Sequence, residues 1–332
     1  MEKRSIIVNG YAYPNISAEL LSQSLPNLTF ISAFSYGIRS DGSLILLDDS
    51  RIRQAAQQSD VQTLMVLSSL TEEGDFDSLI LGRALYNVQK REELISEILE
   101  NLKAKKMYGV DFDFEYIAPQ EKDIYIDLIR RAAQRLNAEG YLVSVALAAK
   151  TSADQAGLLY EGHDYAAVGQ SANLVLLMTY EWGYAGSEPM AVAPIPQIRQ
   201  VLDYGVTEIP PEKILMGIPN YGYDWILPHI PGVSRARSIG NEEAVWLAEH
   251  YGAEIQYDET AQSPYFFFWD NQGRQHEVWF ENERSIRAKL QLIDDYGLAG
   301  VSYWNLMRPF RANWQVLQDM FDVTKLPPPG TV

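Results

Sequence analysis

Short apolar, β-branched runs alternate along the chain with segments whose apolar residues recur every three or four positions. The short runs are nearly continuous, as expected for parallel strands that are buried on both faces. The longer segments have the spacing of helices with one buried face, as in Leu94, Ile95, Ile98 and Leu102. This alternation is typical of βα units around a parallel sheet. Eight runs predict strands: Ser5–Tyr11, Leu28–Phe34, Gln62–Leu67, Met107–Glu115, Leu142–Ala148, Leu174–Tyr180, Ile214–Tyr221 and Gly300–Asn305.

Eight βα units predict an α/β fold of one closed (β/α)8 barrel, the TIM barrel. The alternation is interrupted once, where residues 223–283 separate the seventh predicted strand from its helix. A connection of that length is too long for a loop without secondary structure. Within it, Asn241–Tyr251 has helical spacing, and Tyr265–Trp269 and His276–Phe280 flank a turn and predict a β-hairpin. We predict a catalytic barrel of residues 1–222 and 284–325, a small α+β insertion of residues 223–283 between strand 7 and helix 7, and a terminal tail of residues 326–332.

Three carboxylates occupy alternate positions at the end of the fourth predicted strand, in Gly109-Val-Asp-Phe-Asp-Phe-Glu115. Alternate side chains of a strand lie on one face, so Asp111, Asp113 and Glu115 line up together. Barrel enzymes carry their chemistry at the C-terminal ends of the strands. Because like charges and burial both favour the protonated carboxyl form, one member is expected to keep its proton near neutral pH. We expect Glu115, the outermost, to act as a general acid.

A solvated acidic edge strand would carry similar residues, but three carboxylates on one face of an otherwise apolar strand repel each other. Other patterns that carry chemistry do not occur in the sequence. It has no phosphate-binding glycine loop and no G-x-S-x-G elbow. The histidines have no metal-ligand spacing, and we interpret them as structural or exposed. We therefore expect no metal and no cofactor. The histidines are His163, His229, His250 and His276.

The carboxylate block resembles the D-x-x-D-x-D-x-E signature of the family 18 glycoside hydrolases, the chitinases and their relatives. Asp111, Asp113 and Glu115 match the last three acidic positions of that signature. Tyr108 stands where the family has its first Asp, so the inner end of the row of carboxylates is altered. The end of the signature that holds the catalytic acid is intact.

Further segments are similar to the same family. Met178-Thr-Tyr180-Glu181 resembles its M-x-Y-D motif, with Glu181 in place of Asp, and Trp304 ends the eighth strand, where the family places a Trp below the reacting sugar. Finer similarities point to the spore-germination, cortex-lytic branch, whose members are N-acetylglucosaminidases acting on spore peptidoglycan. These finer similarities lie in Asn9–Pro14, Met178–Gly183, Pro219–Trp225 and Gln262–Tyr265.

The resemblance implies a retaining glycoside hydrolase that cleaves β-linked N-acetylglucosamine polymers, most notably spore cortex peptidoglycan, by substrate assistance. The 2-acetamido oxygen of the sugar attacks the anomeric carbon, while Glu115 protonates the departing oxygen and later activates water. Asp113 holds the acetamido N–H, and Tyr180 donates to the acetamido oxygen. The residues expected to bind substrate are Asp111, Met178, Glu181, Trp304, Tyr11, Asn220, Tyr221 and Trp225, and Tyr36 is a further strand-end candidate.

Two alternatives remain open. A chitinase acting on chitin oligomers would share the barrel and the motifs. A catalytically inactive chitinase-like protein that only binds carbohydrate would share the fold, but the intact Glu115 argues against it.

Composition narrows the expected partners. The formal net charge of −17, with no cluster of Lys and Arg, disfavours nucleic acid. No stretch approaches the ~18 consecutive apolar residues of a membrane span, and the 20 tyrosines suit a sugar-binding cleft. We expect a monomer whose partner is a carbohydrate polymer, peptidoglycan or chitin.

The predicted location rests on the resemblance. It implies the spore coat or cortex, or the cell wall. The basic start Met1–Arg4 precedes an apolar stretch, Ile6–Val8, that is far shorter than the core of a signal peptide. No signal peptide is visible, which leaves synthesis in the cytoplasm open.

Overall fold

The computed structural model describes residues 3–329. Eight parallel strands form a barrel, which closes because its first strand pairs with both its second and its last strand. Each of the eight predicted runs overlaps a barrel strand, and the predicted fold is confirmed. The barrel strands are β1 (Ser5–Ala12), β2 (Phe30–Ile38), β4 (Gln62–Ser68), β5 (Gly109–Asp113), β6 (Leu142–Ala148), β7 (Leu174–Met178), β8 (Ile214–Pro219) and β14 (Gly300–Trp304), and the two-residue strands β3 (Leu44–Ile45) and β15 (Asp322–Val323) extend the sheet at β2 and β1.

Helices cover the outside of the barrel and bury their apolar stripes against it. Leu94, Ile95, Ile98 and Leu102 of the predicted stripe are all fully buried. No helix within residues 3–329 is both long and apolar enough to cross a bilayer. The helices are α1 (Ala18–Ser24), α2 (Ser50–Gln57), α3 (Ile80–Ala84), α4 (Val88–Lys105), α5 (Lys122–Ala138), α6 (Tyr165–Ser171), α7 (Ile195–Glu208), α8 (Asn241–Tyr251), α9 (Glu283–Tyr296) and α10 (Arg311–Met320).

The strand side chains alternate between two apolar clusters. The larger cluster joins the strands to the surrounding helices. The buried residues of the smaller cluster all come from barrel strands, so this cluster fills the inside of the barrel. Phe30, Leu64, Leu174 and Leu215 belong to it, and Tyr108 packs against it with its ring 5.4 Å from that of Phe30. The position of the family's first Asp is therefore occupied by an aromatic side chain packed inside the barrel.

A five-stranded antiparallel sheet and α8 follow β8 in the chain, at the predicted place of the insertion. The helix has the predicted bounds, and the predicted hairpin is present as the antiparallel pair β12 (Ser263–Trp269) and β13 (Gln275–Trp279). The domain boundaries stay a prediction, and residues 330–332 of the predicted tail and Met1 and Glu2 of the basic start lie outside the described residues. In spatial order the sheet contains β10 (Arg237–Ile239), β9 (Gly222–Leu227), β13 (Gln275–Trp279), β12 (Ser263–Trp269) and β11 (Gln256–Asp258).

A buried ion pair joins the insertion to the barrel. Lys289 of α9 lies 2.9 Å from Glu281, and the two side chains are 0% and 1% exposed. The Ser285 hydroxyl donates to the same Glu281 oxygen at 2.5 Å, and the Lys289 ammonium group also reaches the carbonyl oxygen of Gln262, which precedes β12. Removing one partner of such a pair leaves a buried charge without compensation.

We expect Lys289→Met to lower the free energy of unfolding by about 3–5 kcal/mol, because it leaves the Glu281 carboxylate buried without its cation. Urea unfolding followed by circular dichroism measures this loss. The double variant Lys289→Met/Glu281→Gln removes both charges and should recover most of it. A cost below about 1 kcal/mol for the single variant, with no recovery in the double variant, would show that this pair does not hold the insertion in place.

Candidate active site

The carboxylates take their positions from the packing of β5. Phe112 and Phe114 are buried among the outer helices, with 0% and 1% of their surface exposed. That packing directs the alternate residues Asp111 and Asp113 to the inside of the barrel. The strand ends at Asp113, and Glu115 lies two residues beyond it, at the C-terminal mouth of the barrel. The three carboxylates therefore lead from the barrel interior to its opening.

A cavity of about 540 Å³ opens at this mouth and is lined by Asp113, Glu115, Tyr180 and Trp304 among others. Glu115 also lines an adjoining cavity of about 270 Å³. Glu115 is exposed, and the space it is exposed to is that of these cavities. It is thus accessible to a ligand while protein surrounds it. No lysine, arginine or histidine lines either cavity within the described residues.

Burial of like charges governs the ionisation of the inner carboxylates. Burial raises the pKa of Asp113 well above its usual range, and the neighbouring Glu115 and Asp111 raise it further. Burial also raises the pKa of Asp111, although the hydroxyls of Tyr11 and Ser144 oppose this. Tyr11 donates to Asp111 Oδ2 at 2.6 Å, whereas Asp113 Oδ1 is buried without a hydrogen-bond partner among the described residues. These shifts favour a state in which the pair of Asp113 and Glu115 carries a proton.

The outer groups are affected in the same direction. Burial raises the pKa of Glu115, and the charge of Glu181 adds to the shift. Burial and the surrounding carboxylates keep the pKa of Tyr180 well above its usual value, so its phenol remains a hydrogen-bond donor. The Tyr180 ring packs over Gly217 of β8, where a Cβ would lie 2.6 Å from Tyr180 Cε1. Glycine at this position is what leaves room for the ring.

Glu181 is held by two tyrosines where the chain passes from β8 into the insertion. Tyr221 and Tyr223 donate to the same Glu181 oxygen at 2.5 and 2.9 Å. Burial raises the pKa of Glu181, although both hydroxyls lower it. The backbone of Glu181 is left-handed, with φ of 68°, as is that of Tyr116, with φ of 53°. Non-glycine residues in this region are uncommon and concentrate at functional sites.

Aromatic side chains fix the indole that forms one surface of the cavity. The Trp304 ring lies 5.4 Å from that of Tyr11 and 5.1 Å from that of Phe34, the latter nearly edge to face at 78°. Met178 lines the same cavity. Contacts of this kind restrain the ring plane and leave one face available to a sugar.

Three expected substrate contacts lie outside the cavity around Glu115. Asn220 lines a neighbouring cavity, and its amide N–H groups are bonded to the carbonyl oxygens of Asn305 and Arg308 at 2.8 and 2.9 Å. Trp225 is 1% exposed and donates to Ser187 O at 2.8 Å, so it forms part of an apolar core that the insertion shares with Ala191 and Val192. Tyr36 is also fully buried, and its hydroxyl contacts Asp49 and Lys105 outside the barrel. For Trp225 and Tyr36 the structure differs from the expectation, because β9 and the end of β2 turn these rings into protein cores.

The sequence predicts only that His163 is structural or exposed, and in the structure it is a structural residue between two strand ends. It is fully buried, its Nε2–H donates to Phe114 O at 2.7 Å, and its Nδ1 accepts from the Ala148 amide at 2.8 Å. Burial lowers its pKa to about 4, so the ring is neutral and can accept and donate at once. It ties the ends of β5 and β6 together beside Glu115. No sequence spacing pointed to this contact.

Other residues missed by sequence reasoning line the cavity from loops. Tyr116, Tyr160 and Tyr184 all contribute to its walls. A loop aromatic gives no periodic signal, which is why the sequence did not single these out. Among residues 3–329, no group of three or more His, Asp or Glu side chains is arranged to hold a metal ion.

Comparison with known proteins gives consistent matches. The family described as glycosyl hydrolases family 18 matches residues 10–308. The cortical fragment-lytic enzyme of Bacillus subtilis is 42% identical over 97% of this chain and 76% of that relative. The crystal structure of the spore cortex-lytic enzyme SleL of Bacillus megaterium superposes with a TM-score of 0.93 at 41% identity, over 98% of this chain and 76% of that one. The crystal structure of a chitinase from Chromobacterium violaceum superposes with a TM-score of 0.85 at 25% identity, over 95% of this chain and 98% of that one.

Glu181→Gln provides a test of the electrostatics, because it keeps the acceptor oxygen for Tyr221 and Tyr223 and removes the charge. On the expectation that Glu115 is the general acid, hydrolysis needs its protonated form and is lost as the pH rises through its pKa. Since the charge of Glu181 raises that pKa, its neutralisation should move the basic limb of kcat/KM to lower pH. The pH profile with an N-acetylglucosamine oligomer measures the shift.

Glu188→Gln is the matched control, since Glu188 is exposed in the same loop and does not line the cavity. Its profile should coincide with that of the wild type. A basic limb that stays in place or moves to higher pH in Glu181→Gln would refute the coupling between Glu181 and Glu115.

Proposed function

The chain belongs to the glycosyl hydrolases of family 18 and is a glycoside hydrolase, and we propose that Glu115 is its acid in substrate-assisted cleavage of cortex peptidoglycan next to N-acetylglucosamine. The proposed machinery consists of Glu115, Asp113 and Tyr180 around the cavity, with Trp304 as the surface for the reacting sugar. All of these residues come from one chain, so we propose that a monomer suffices.

The observation that carries this proposal is the buried, unpartnered Oδ1 of Asp113 beside Glu115. A buried acceptor without a donor costs free energy that a ligand donor can recover. The N–H of a 2-acetamido group is such a donor. A sugar placed on Trp304 with its acetamido group towards Asp113 would also bring the acetamido oxygen within the reach of the Tyr180 hydroxyl.

In the proposed first step the acetamido oxygen attacks the anomeric carbon and the bond to the departing oxygen breaks. Glu115 gives its proton to that oxygen, and its own carboxylate is left behind. The resulting oxazolinium ion is cationic, and the Asp113 carboxyl group beside its N–H stabilises the charge. In the second step Glu115 takes a proton from water, which attacks the same carbon and opens the ring. Configuration is retained because both attacks invert the carbon.

The substrate class is supported by the relatives. Two relatives named as a cortical fragment-lytic and a spore cortex-lytic enzyme match almost the whole chain at 42% and 41% identity. We therefore propose action at the spore cortex. Chitin is the second candidate, favoured by the similarity to the Chromobacterium violaceum chitinase over nearly the full length of both chains.

Glu115→Gln separates binding from chemistry, since it keeps the shape of the side chain and removes the acid proton. We expect turnover of cortex peptidoglycan fragments to fall by about 10²–10⁴-fold. Binding of a thiazoline derived from N-acetylglucosamine, which resembles the bicyclic intermediate, should remain tighter than that of the free sugar. Mass spectrometry of the products and isothermal titration calorimetry measure the two effects. Glu212→Gln, an exposed change before β8, is the control and should behave as the wild type.

Several outcomes contradict the proposal in different ways. A Glu115→Gln variant with near-normal turnover would refute the assignment of the acid. A covalent sugar on Asp111, Asp113 or Glu181, or rapid turnover of a glucoside without an acetamido group, would refute substrate assistance. Cleavage of chitin without cleavage of cortex fragments would establish the second candidate. Thiazoline binding by a wild type that cleaves neither polymer would indicate a carbohydrate-binding protein.

A further inference from the structure

A cavity of about 470 Å³, which we call the second cavity, adjoins the cavity of about 540 Å³ that contains the proposed acid. The two cavities share Glu181, Tyr221 and Trp304 in their linings, so they lie side by side, and we call them together the cleft. Glu115 and Asp113 do not line the second cavity. It is therefore placed to receive a sugar next to the reacting one.

Arg308 lines this second cavity, and it is the cation of the cleft. Within the described residues no other lysine or arginine lines either this cavity or the two that contain Glu115. Arg308 is half-buried and forms no ion pair with any described residue, in a chain whose net charge is −17. Burial lowers its pKa, although the charge of Glu243, a carboxylate that pairs directly with Arg237, opposes this. A half-buried charge without a directly bonded counterion is stabilised when a ligand supplies one.

The guanidinium group is already oriented. Its two terminal nitrogens donate to Ser238 Oγ at 2.9 Å and to Ser238 O at 3.2 Å, on β10 of the insertion. A guanidinium group has five N–H donors, so three remain after these contacts. Because the side chain is held from the insertion, little further ordering is needed to bind a planar anion such as a carboxylate.

The chemistry of the two candidate polymers differs at this point. Peptidoglycan alternates N-acetylglucosamine with muramic acid, so an N-acetylglucosamine at the reacting position has a muramic acid on either side. Muramic acid carries a lactyl arm that ends in a carboxylate or in a peptide with its own carboxylate. Chitin repeats neutral N-acetylglucosamine and offers no anion. Part of the muramic acid of cortex peptidoglycan is closed to a neutral lactam, but each muramic acid that keeps an open lactyl or peptide arm brings the negative charge that would pair with Arg308.

We propose that Arg308 is a specificity-determining residue that binds a carboxylate on the lactyl or peptide arm of the muramic acid next to the reacting N-acetylglucosamine. This proposal rests on the proposed cleavage of peptidoglycan. It adds to that function a means by which the cleft distinguishes peptidoglycan from chitin.

The test uses the full chain and tetrasaccharides of alternating N-acetylglucosamine and muramic acid in three forms. One form keeps the peptide, one has the peptide removed to expose the lactyl carboxylate, and one has all of its carboxylates amidated. The measured quantity is the ratio of kcat/KM for each acidic form to kcat/KM for the amidated form. We expect this ratio to be well above one for the wild type and to fall at least about tenfold in Arg308→Met, as for loss of a charge-assisted hydrogen bond. The form that shows the larger fall identifies the source of the carboxylate.

Three further variants distinguish the charge from its structural support. Arg308→Lys keeps the charge without the planar fork and should keep part of the ratio. Ser238→Ala loosens the support but leaves the charge, so the ratio should be largely retained. Arg287→Met removes an exposed charge that is paired with Asp319 on the outer helices and should leave the ratio unchanged.

The outcomes separate this proposal from the function on which it rests. A wild type that cleaves N-acetylchitotetraose but none of the muramic acid substrates refutes the proposed function, and the role of Arg308 with it. A wild type that cleaves acidic and amidated forms equally well refutes the role of Arg308 alone. An equal loss of kcat/KM on all substrates in Arg308→Met, with a lower melting temperature, would show that Arg308 is only a structural link to Ser238.

Discussion

Carboxylates buried side by side without a cation are the constraint on which the site depends. Asp111, Asp113 and Glu115 share one face of β5, and no basic side chain among the described residues lines the cavity around Asp113 and Glu115. Their mutual repulsion is reduced by proton retention and by neutral donors such as the Tyr11 hydroxyl. His163, which links the ends of β5 and β6 beside them, is also neutral because burial lowers its pKa. A positive charge in any of these places would release the proton that the proposed acid must keep.

The insertion continues the cleft beyond the barrel. Tyr221, just before its start, and Tyr223, at its start, hold Glu181 next to the proposed acid, and Ser238 on β10 holds Arg308 in the adjoining cavity. The buried pair of Lys289 and Glu281 anchors the same sheet to the barrel helix α9. In the proposed function, the insertion thus connects the electrostatics of the reacting centre to the recognition of the neighbouring sugar.

The barrel could be predicted because a strand buried on both faces is a continuous apolar run, which few other structures produce. The carboxylates could be predicted because strand alternation alone places them together. Trp225 and Tyr36 could not be placed, since a strand-end aromatic gives no sign of the face it occupies after the chain turns into β9 or leaves β2. His163 and Tyr223 could not be found either, because their hydrogen bonds join residues that are 49 and 42 positions apart. Sequence patterns describe local periodicity, whereas these contacts depend on the closure of the barrel and the docking of the insertion.

The most direct measurement is the free energy of unfolding of the wild type and of Asp113→Asn as a function of pH. The folded state raises the pKa of Asp113, so between the unfolded value of about 3.9 and the folded value the native protein binds more protons, and its stability falls as the pH rises. The Asp113→Asn side chain does not titrate, so the variant lacks this loss of stability with rising pH. We expect the stability difference in favour of Asp113→Asn to grow with pH, by roughly 1.4 kcal/mol for each unit of the shift, while turnover falls. A difference that stays constant or shrinks as the pH rises would show that the buried carboxylates do not hold a proton.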